Sequence, residues 1–408
     1  MRKLILSCVM SILLCASQIF SQDYTKIKSI IGNASIDTLI ENLNLLTGEK
    51  PVTLDGNSVT ISTRFRGTTG DSSAALFLKN KLNSYGGLKV SEQPLPDSGK
   101  NIIAVQTGTE NPKRQIIVCA HYDCMPPGPI SHGADDDGSG TAAVLEAARI
   151  LSKYSSSNTI VYAFFDYEED DLNGSEYYAS HASQNGDTIG AVINLDMIGW
   201  DKNNQNDVEI DSKPSISLSD QLAKDVKDLN DKCNIGLYIT IVNPGKSNAD
   251  NDSFWKYNFP AILIIELYGY QNPYMHTVND RVENINKPFY ERCTKLGIAS
   301  IARYTDLNVN DGTTSVKEMP TSYYSLEQNY PNPFNPTTTI TYQLPKSENI
   351  KLKIYNLLGE EVKTLVEDNE VAGIYHVKFD GSNFASGVYF YRLRAGNFVD
   401  TKKLILMK

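Results

Sequence analysis

A chain of 408 residues is too long for one ordinary hydrophobic core and points to two or three folded units. Its 41% hydrophobic and 21% charged residues read as globular and soluble. A net charge of -10 gains nothing from releasing the counterions of a phosphate backbone, which argues against nucleic acid as a partner.

The chain opens with Arg2 and Lys3, an apolar run from Leu4 to Leu14, then small and polar residues as far as Ser21-Gln22. That is the order of a signal peptide, and the run is too short for a comfortable membrane span. Residues 1–21 are expected to be cleaved off, near Ser17 to Ser21. Cys15 raises a lipoprotein alternative, but Leu14 is larger than the small residue such a site wants. Nothing later reads as a stable transmembrane segment. The cysteines left after cleavage are Cys119, Cys124, Cys233 and Cys293, whose spacing fits no zinc knuckle and no disulfide framework. Cys119, inside an apolar run, reads as a small buried hydrophobe, and a pairing of Cys124 has nothing to support it.

Residues 22 to about 101 read as a helical lead-in, with apolar spacing at 36–46 and at 74–85 and a stop at Gly86-Gly87. Short apolar runs then alternate with helical patterns. Strands are expected at 102–105, 115–120, 159–165, 191–195 and 261–265, and helices at 141–154 and 219–229. This alternation predicts an α/β domain over 22–305, a mostly parallel central sheet flanked by helices. Residues 306–322, rich in Asn, Asp, Gly, Thr and Ser, suit a linker. From 323 to 408 the texture becomes strand-like, at 338–344, 351–355, 375–379, 388–393 and 398–406, with glycines between. That predicts a small all-β, immunoglobulin-like sandwich.

The residues with chemistry stand where the buried strands end. Run 115–120 leads into His121-Tyr122-Asp123, and Gly133-Ala134-Asp135-Asp136-Asp137-Gly138-Ser139-Gly140 leads into a helix. Run 159–165 leads into Asp166-Tyr167-Glu168-Glu169, run 191–195 into Asp196, and His276-Thr277 follows 261–265 shortly after. In open α/β sheets, sites form outside the carboxyl ends of strands. Imidazole and carboxylate together suit zinc. Two histidines and three carboxylates, one of them bridging, are enough for two metal ions, with one glutamate of the pair left as a base. Neighbours in an extended chain point opposite ways, so both glutamates can serve one site only if the strand stops there. Asp170-Asp171 and Asn173-Gly174 say that it does. Singly, His121 could be a structural histidine, 135–137 an acidic helix cap and 168–171 a solvated loop. Metal chemistry is argued by their joint appearance.

These ordered motifs, with Gly174-Ser175 after the glutamates and Asn194-Leu195-Asp196-Met197, resemble the aminopeptidase Y and bacterial leucyl aminopeptidase family of dizinc exopeptidases over about residues 30–305. The resemblance implies the zinc-dependent exopeptidase fold and two Zn2+ ions. It implies Asp136 as the bridging ligand, His121 and Asp196 completing one zinc, and Glu169 and His276 the other. Glu168 would be the general base, Asp123 would hold the His121 ring, and the Asp136–Asp137 peptide bond would be cis. The activity implied is release of N-terminal amino acids from a peptide or protein substrate.

There are departures. Family members often carry Ser-Asp-His where this chain reads Ala249-Asp250-Asn251. Tyr274 stands near His276 as an oxyanion donor or a structural tyrosine, and His132 reads as a loop histidine. Glutaminyl cyclases, with one zinc, share the fold and resemble the motifs at 121–123, 164–169 and 276–277. They typically have Trp before the last histidine, where this chain has Met275. A third reading, from another class, is a surface binding protein with an inert peptidase-like fold.

The tail has its own signature in Leu326-Glu327-Gln328-Asn329-Tyr330-Pro331-Asn332-Pro333-Phe334-Asn335-Pro336 and in Ser386-Gly387-Val388-Tyr389 with Lys402-Lys403. It resembles the C-terminal sorting domain of the type IX secretion system. That implies contact with the secretion machinery and export through the periplasm and outer membrane, to the surface or the medium.

Overall fold

The computed structural model describes residues 24–245, 248–305, 307–309, 324–329, 331–346, 348–370 and 373–407, so the expected signal peptide and most of the expected linker lie outside the described residues. The chain divides into two compact units, up to Asp311 and from Gly312.

The first unit starts with helices α1 (Tyr24–Ile31), α2 (Ile36–Leu46) and α3 (Thr69–Ser84). The Ser35 hydroxyl accepts from Thr38 N–H at 3.2 Å, and the Thr68 hydroxyl from Asp71 N–H at 3.1 Å. Both helices therefore begin where a hydroxyl satisfies an orphan amide. This places the start of α3 at Thr69, ahead of the expected 74. The lead-in is not wholly helical. Strands β1 (Val52–Leu54) and β2 (Asn57–Val59) form a hairpin, and β3 (Lys89–Pro94) joins the main sheet as an edge.

The main sheet continues with β4 (Lys100–Gln106) and β5 (Asn111–His121), followed by helix α4 (Gly138–Leu151). Strands β6 (Tyr154–Ser156) and β7 (Asn158–Phe165), helix α5 (Asn173–Asn185) and strands β8 (Thr188–Leu195) and β9 (Asp207–Asp211) come next. Helix α6 (Ser217–Cys233), strand β10 (Tyr238–Val242), helix α7 (Asp250–Lys256), strand β11 (Ala261–Glu266), helix α8 (Lys287–Thr305) and strand β12 (Leu307–Val309) complete the unit. The expected helix 141–154 is thus shifted. It starts at Gly138, where the Asp137 carboxylate caps it, and it stops short of Tyr154, which pairs in β6 with β12.

The sheet order is β10-β9-β11-β8-β5-β7-β4-β3. Strands β11, β8, β5 and β7 run parallel to one another, while β9, β4 and β3 pair antiparallel at the flanks. Alternation along β5 sends Ile116, Val118 and Ala120 into one core and Ile117 and Cys119 into the other. Helices α1–α4, α6 and α8 bury the first face, and α5 and α7 the second. Among the described residues no helix is long and apolar enough to cross a membrane. Cys119, Cys124, Cys233 and Cys293 are free and buried.

The second unit contains β13 (Ser325–Leu326), β14 (Thr337–Leu344), β15 (Glu348–Tyr355), β16 (Glu361–Glu370), β17 (Gly373–Asp380), β18 (Gly387–Ala395) and β19 (Phe398–Leu406). They form two antiparallel sheets, β13-β14-β17 and β16-β15-β18-β19, around a core that includes Tyr342, Leu352, Ile354 and Leu393. The buried Tyr391 hydroxyl donates to Glu327 O at 2.6 Å and accepts from Asn329 N–H at 2.7 Å, tying the entering segment to the core.

Candidate metal centre

Because β5, β7, β8 and β11 are parallel, their carboxyl ends share one edge of the sheet. His121 is the last residue of β5; Glu168 and Glu169 follow β7; Asp196 follows β8 directly; His276 lies on the loop after β11. Around these residues the backbone leaves the strand direction through left-handed residues that carry a Cβ. They are Tyr167 (φ 58°), Asp171 (59°), Leu172 (60°), Met197 (50°) and His276 itself (57°). Such positions are uncommon and persist only where surrounding contacts over-determine them.

The turn frees both glutamates to face the site. Asp123 fixes them there: its carboxylate oxygens accept from Glu168 N–H at 3.1 Å and Glu169 N–H at 3.2 Å. Asp123 Oδ1 also lies 3.3 Å from His121 Nδ1, on the far side of the ring from the other carboxylates. His121 Nε2 points at Asp136 Oδ1 (3.3 Å), Glu168 Oε2 (3.7 Å) and Asp196 Oδ1 (3.8 Å). His276 Nε2 lies 3.1 Å from Asp136 Oδ2 and 2.9 Å from Glu169 Oε2. Asp136 therefore presents one oxygen to each imidazole. The peptide bond between Asp136 and Asp137 is cis.

Asp136, Glu169 and His276 form one group with ligand atoms within 4.8 Å of one another, and His121, Asp137 and Asp196 another. Asp137 is the weaker member. Its carboxylate accepts from the N–H groups of Gly140 (2.7 Å), Met197 (3.3 Å) and His121 (3.3 Å), which marks it as a helix cap and a brace between strands. Glu169 Oε1 and Asp196 Oδ1 are buried without a hydrogen-bond partner. Orphaned buried oxygens beside two imidazoles are what a metal ion satisfies, so the residues present fit the group.

The electrostatics agree. Burial pushes Glu168 well above the usual carboxylate range, with His121 opposing and Asp196 adding to the rise. Burial likewise lifts Asp196 to about 8, and burial with Asp136 lifts Glu169. Asp136 is buried too, yet hydrogen bonds from the two imidazoles hold it below its ordinary value. Hydrogen bonds to Asp136 and Glu169 carry His276 to about 10. Burial pulls His121 down, but Glu168, Asp123, Asp136 and Asp196 outweigh it and leave it raised. The pocket carries more carboxylate than its imidazoles can balance, and divalent cations would supply the difference.

A cavity of about 440 Å3 opens on this group. Leu172, Met197, Leu263, Ile265, Tyr268 and Met275 give it apolar wall, and Glu209 and Asp211 add further acid. Tyr274 is not among its lining residues and packs edge-on against Trp200 at 6.0 Å. His132 Nδ1 lies 2.8 Å from Thr47 O, and Asn251 is buried in α7.

Three residues that sequence reading passed over hold the centre together. Arg64 is fully buried and donates to Tyr122 O (2.6 Å), His132 O (2.5 Å) and Gly133 O (2.8 Å), binding the strand end at His121 to the acidic turn. Asp280 and Asn272 join that turn to the loop of His276. The run Thr63-Arg64-Phe65-Arg66-Gly67 lies between the two expected helices of the lead-in, and nothing in it signals a buried guanidinium.

Residues 101–301 match the model of Peptidase family M28, and residues 328–407 match the Secretion system C-terminal sorting domain. Leucine aminopeptidase 1 of Ajellomyces capsulatus (strain NAm1 / WU24) is 30% identical over 218 residues, covering 50% of this chain and 56% of the relative. The chain thus spans about half the length of that curated relative. The LapA aminopeptidase of Legionella pneumophila has a similar structure, with TM-score 0.59 and 20% identity, covering 70% of this chain and 75% of that one. The Porphyromonas gingivalis glutaminyl cyclase is also similar, with TM-score 0.54 and 23% identity, covering 66% of this chain and 99% of that one. At these identities both likenesses speak to the fold alone.

Proposed function

We propose that this chain, which belongs to peptidase family M28 through residues 101–301 and ends in a secretion-system sorting domain, is an exported zinc aminopeptidase. The observation that carries the reading is Asp136, whose two oxygens each face a different imidazole while Glu169 and Asp196 stand beside them. His121, Asp136 and Asp196 would hold one Zn2+, and Asp136, Glu169 and His276 the other.

Two such ions would acidify a bound water and polarise a scissile carbonyl. The protein's own groups do the rest. Glu168, its side chain only 10% exposed, is held beside the centre by Asp123 through its amide. It takes the water's proton and passes it to the departing amine, a role worth about 10²–10⁴ in rate. Asp123 steadies His121 and the Glu168-Glu169 turn together, so ligand and base keep one geometry.

The choice of chain end follows from charge. The cavity lining contains Asp136, Glu168, Glu169, Asp171, Asp196, Glu209, Asp211 and Glu266, and no lysine or arginine among the described residues. Such a wall would attract the α-ammonium of a peptide, and its described residues hold no lysine or arginine for a C-terminal carboxylate. That favours release of N-terminal residues over carboxypeptidase action. The sorting domain would engage the secretion machinery and then has no part in the chemistry.

The test is a panel of aminoacyl-p-nitroanilides, N-acetylated analogues and peptides, with and without chelator. Hydrolysis of the free-amine substrates alone, lost on chelation and restored by zinc, is expected. Equal hydrolysis of N-acetylated substrates would refute the aminopeptidase reading. Pyroglutamate formed from an N-terminal glutamine peptide, with no amino acid released, would establish a cyclase instead.

A further inference from the structure

His276 differs from the other candidate ligands. Its side chain is 43% exposed, against 1% for His121 and 8% for Asp136 and Asp196. It sits on a loop, not at a strand end, and its φ of 57° is left-handed. An exposed loop residue in an unfavourable backbone state stays in place only if something holds the loop. In this chain that something is identifiable.

Asn272 begins the loop and is 4% exposed. Its Nδ2 donates to Asp135 Oδ2 (3.1 Å) and to Asp280 Oδ1 (3.0 Å), and its amide N–H donates to Glu266 Oε1 (2.5 Å). Its own side-chain oxygen accepts from Tyr274 N–H (2.9 Å), and its carbonyl from Met275 N–H (3.2 Å), the residue next to His276. Asp280, which closes the loop and is 1% exposed, accepts from Asp135 N–H (3.0 and 3.1 Å) and Asp136 N–H (3.0 Å). The Asp280 carbonyl accepts from Ala134 N–H at 3.0 Å. Both ends of the His276 loop are therefore fastened to the backbone and side chains of the acidic turn that carries Asp136.

We infer that Asn272 and Asp280 are positioning residues that set the separation of His276 from Asp136, Asn272 tuning the His276-side metal site and Asp280 both sites. The inference rests on the two-metal reading above. Neither residue lies among the candidate ligands. Asn272 reaches the acidic turn only through the Asp135 side chain, whereas Asp280 orders the amides of the turn itself, whose Asp136 serves both sites. The two residues therefore have different consequences. Loss of Asn272 loosens one site, and loss of the Asp280 carboxylate loosens both.

The experiment is zinc titration of the metal-free protein against a chromogenic chelator, with wild type, Asn272→Ala and Asp280→Asn. Wild type binding two ions is the control, and a wild type that binds none refutes the metallopeptidase reading itself. For Asn272→Ala, one ion keeps its affinity and the other weakens about 10–100-fold, the usual cost of losing a group that orients a ligand. For Asp280→Asn, both ions weaken. Wild-type affinities in Asn272→Ala, or equal weakening of both its ions, overturn the tether while leaving the two-metal reading intact. Should the alanine variant unfold, Asn272→Ser is judged by the same split. His276→Ala marks which ion belongs to the loop: the ion it weakens must be the one that Asn272→Ala weakens, and a different ion would overturn the proposal.

Discussion

Arg64 offers the most direct trial of how the centre is built. In Arg64→Met most of the aliphatic stem stays and the guanidinium goes. Two of its acceptors, Tyr122 O and Gly133 O, are in buried hydrogen bonds, and the third, His132 O, is in a partly buried one. A buried acceptor left without a donor costs about 1–3 kcal/mol. The two buried carbonyls alone therefore put the loss at about 2–6 kcal/mol, with water able to serve the third. A typical domain has only about 5–15 kcal/mol to lose. Trp200 and Trp255, the chain's two tryptophans, both lie in the first unit, so tryptophan fluorescence in urea reports its unfolding without the sorting domain. Arg64→Lys, which restores a charge but not a three-way fork, should fall between wild type and Met. A loss below about 1 kcal/mol in Arg64→Met would refute the reasoning, since it would mean the carbonyls never depended on the guanidinium.

Glu168→Gln should retain its full zinc content by elemental analysis while kcat falls about 10²–10⁴-fold, and undiminished turnover would remove Glu168 from the role of base. Cys119, Cys124 and Cys293 are free and no more than 1% exposed, so these three thiols should be inert to a thiol reagent in the native mature protein and react in denaturant; reaction of any of the three in the native protein, or their absence after unfolding, would contradict the packing. Burial lifts Asp71 to about 7, and burial with Asp71 lifts Asp166 to about 8, so the folded chain binds more protons than the unfolded one between the ordinary carboxylate range and those values. Stability then falls as pH rises through that window. Asp71→Asn should flatten the decline between about pH 5 and 8, measured by urea unfolding, and an unchanged slope would show that the pair is not protonated in the fold.

The parts of the fold legible in the sequence are those where burial is uniform. β7 is buried along its whole length, and so its run from Asn158 to Phe165 stands out in the chain. Elements whose buried face is polar or small did not stand out. In α5 the buried positions are Gly174, Ser175, Ala179 and Ala182, and in α8 they include Thr294, Gly297, Ser300 and Thr305 beside the apolar ones. Close helix–sheet packing selects those small residues, and it removes the amphipathic contrast that periodicity detects. β3 was hidden for the opposite reason: as an edge strand it is mostly exposed, with charges such as Lys89 and Glu92 outward.

The site divides the same way. Ligand-type residues at strand ends are visible because the chemistry restricts them to His, Asp and Glu and topology restricts them to one edge. The structure brings His121, Asp136, Glu168, Glu169, Asp196 and His276 together from five separate segments, with Asp123 behind them. What the sequence leaves dark is the support. Arg64 and Asp280 act through backbone carbonyls and amides, and Asn272 does so in part, and a backbone group has no residue type to search for. They have partners 58, 137 and 145 positions away, so no local spacing announces them either. A centre assembled from loops must satisfy those backbone groups with side chains, since no strand partner or helix turn is there to do it. It follows that the candidate ligand set is legible from residue type, while what holds it in place resides in polar residues that carry no such mark in the sequence.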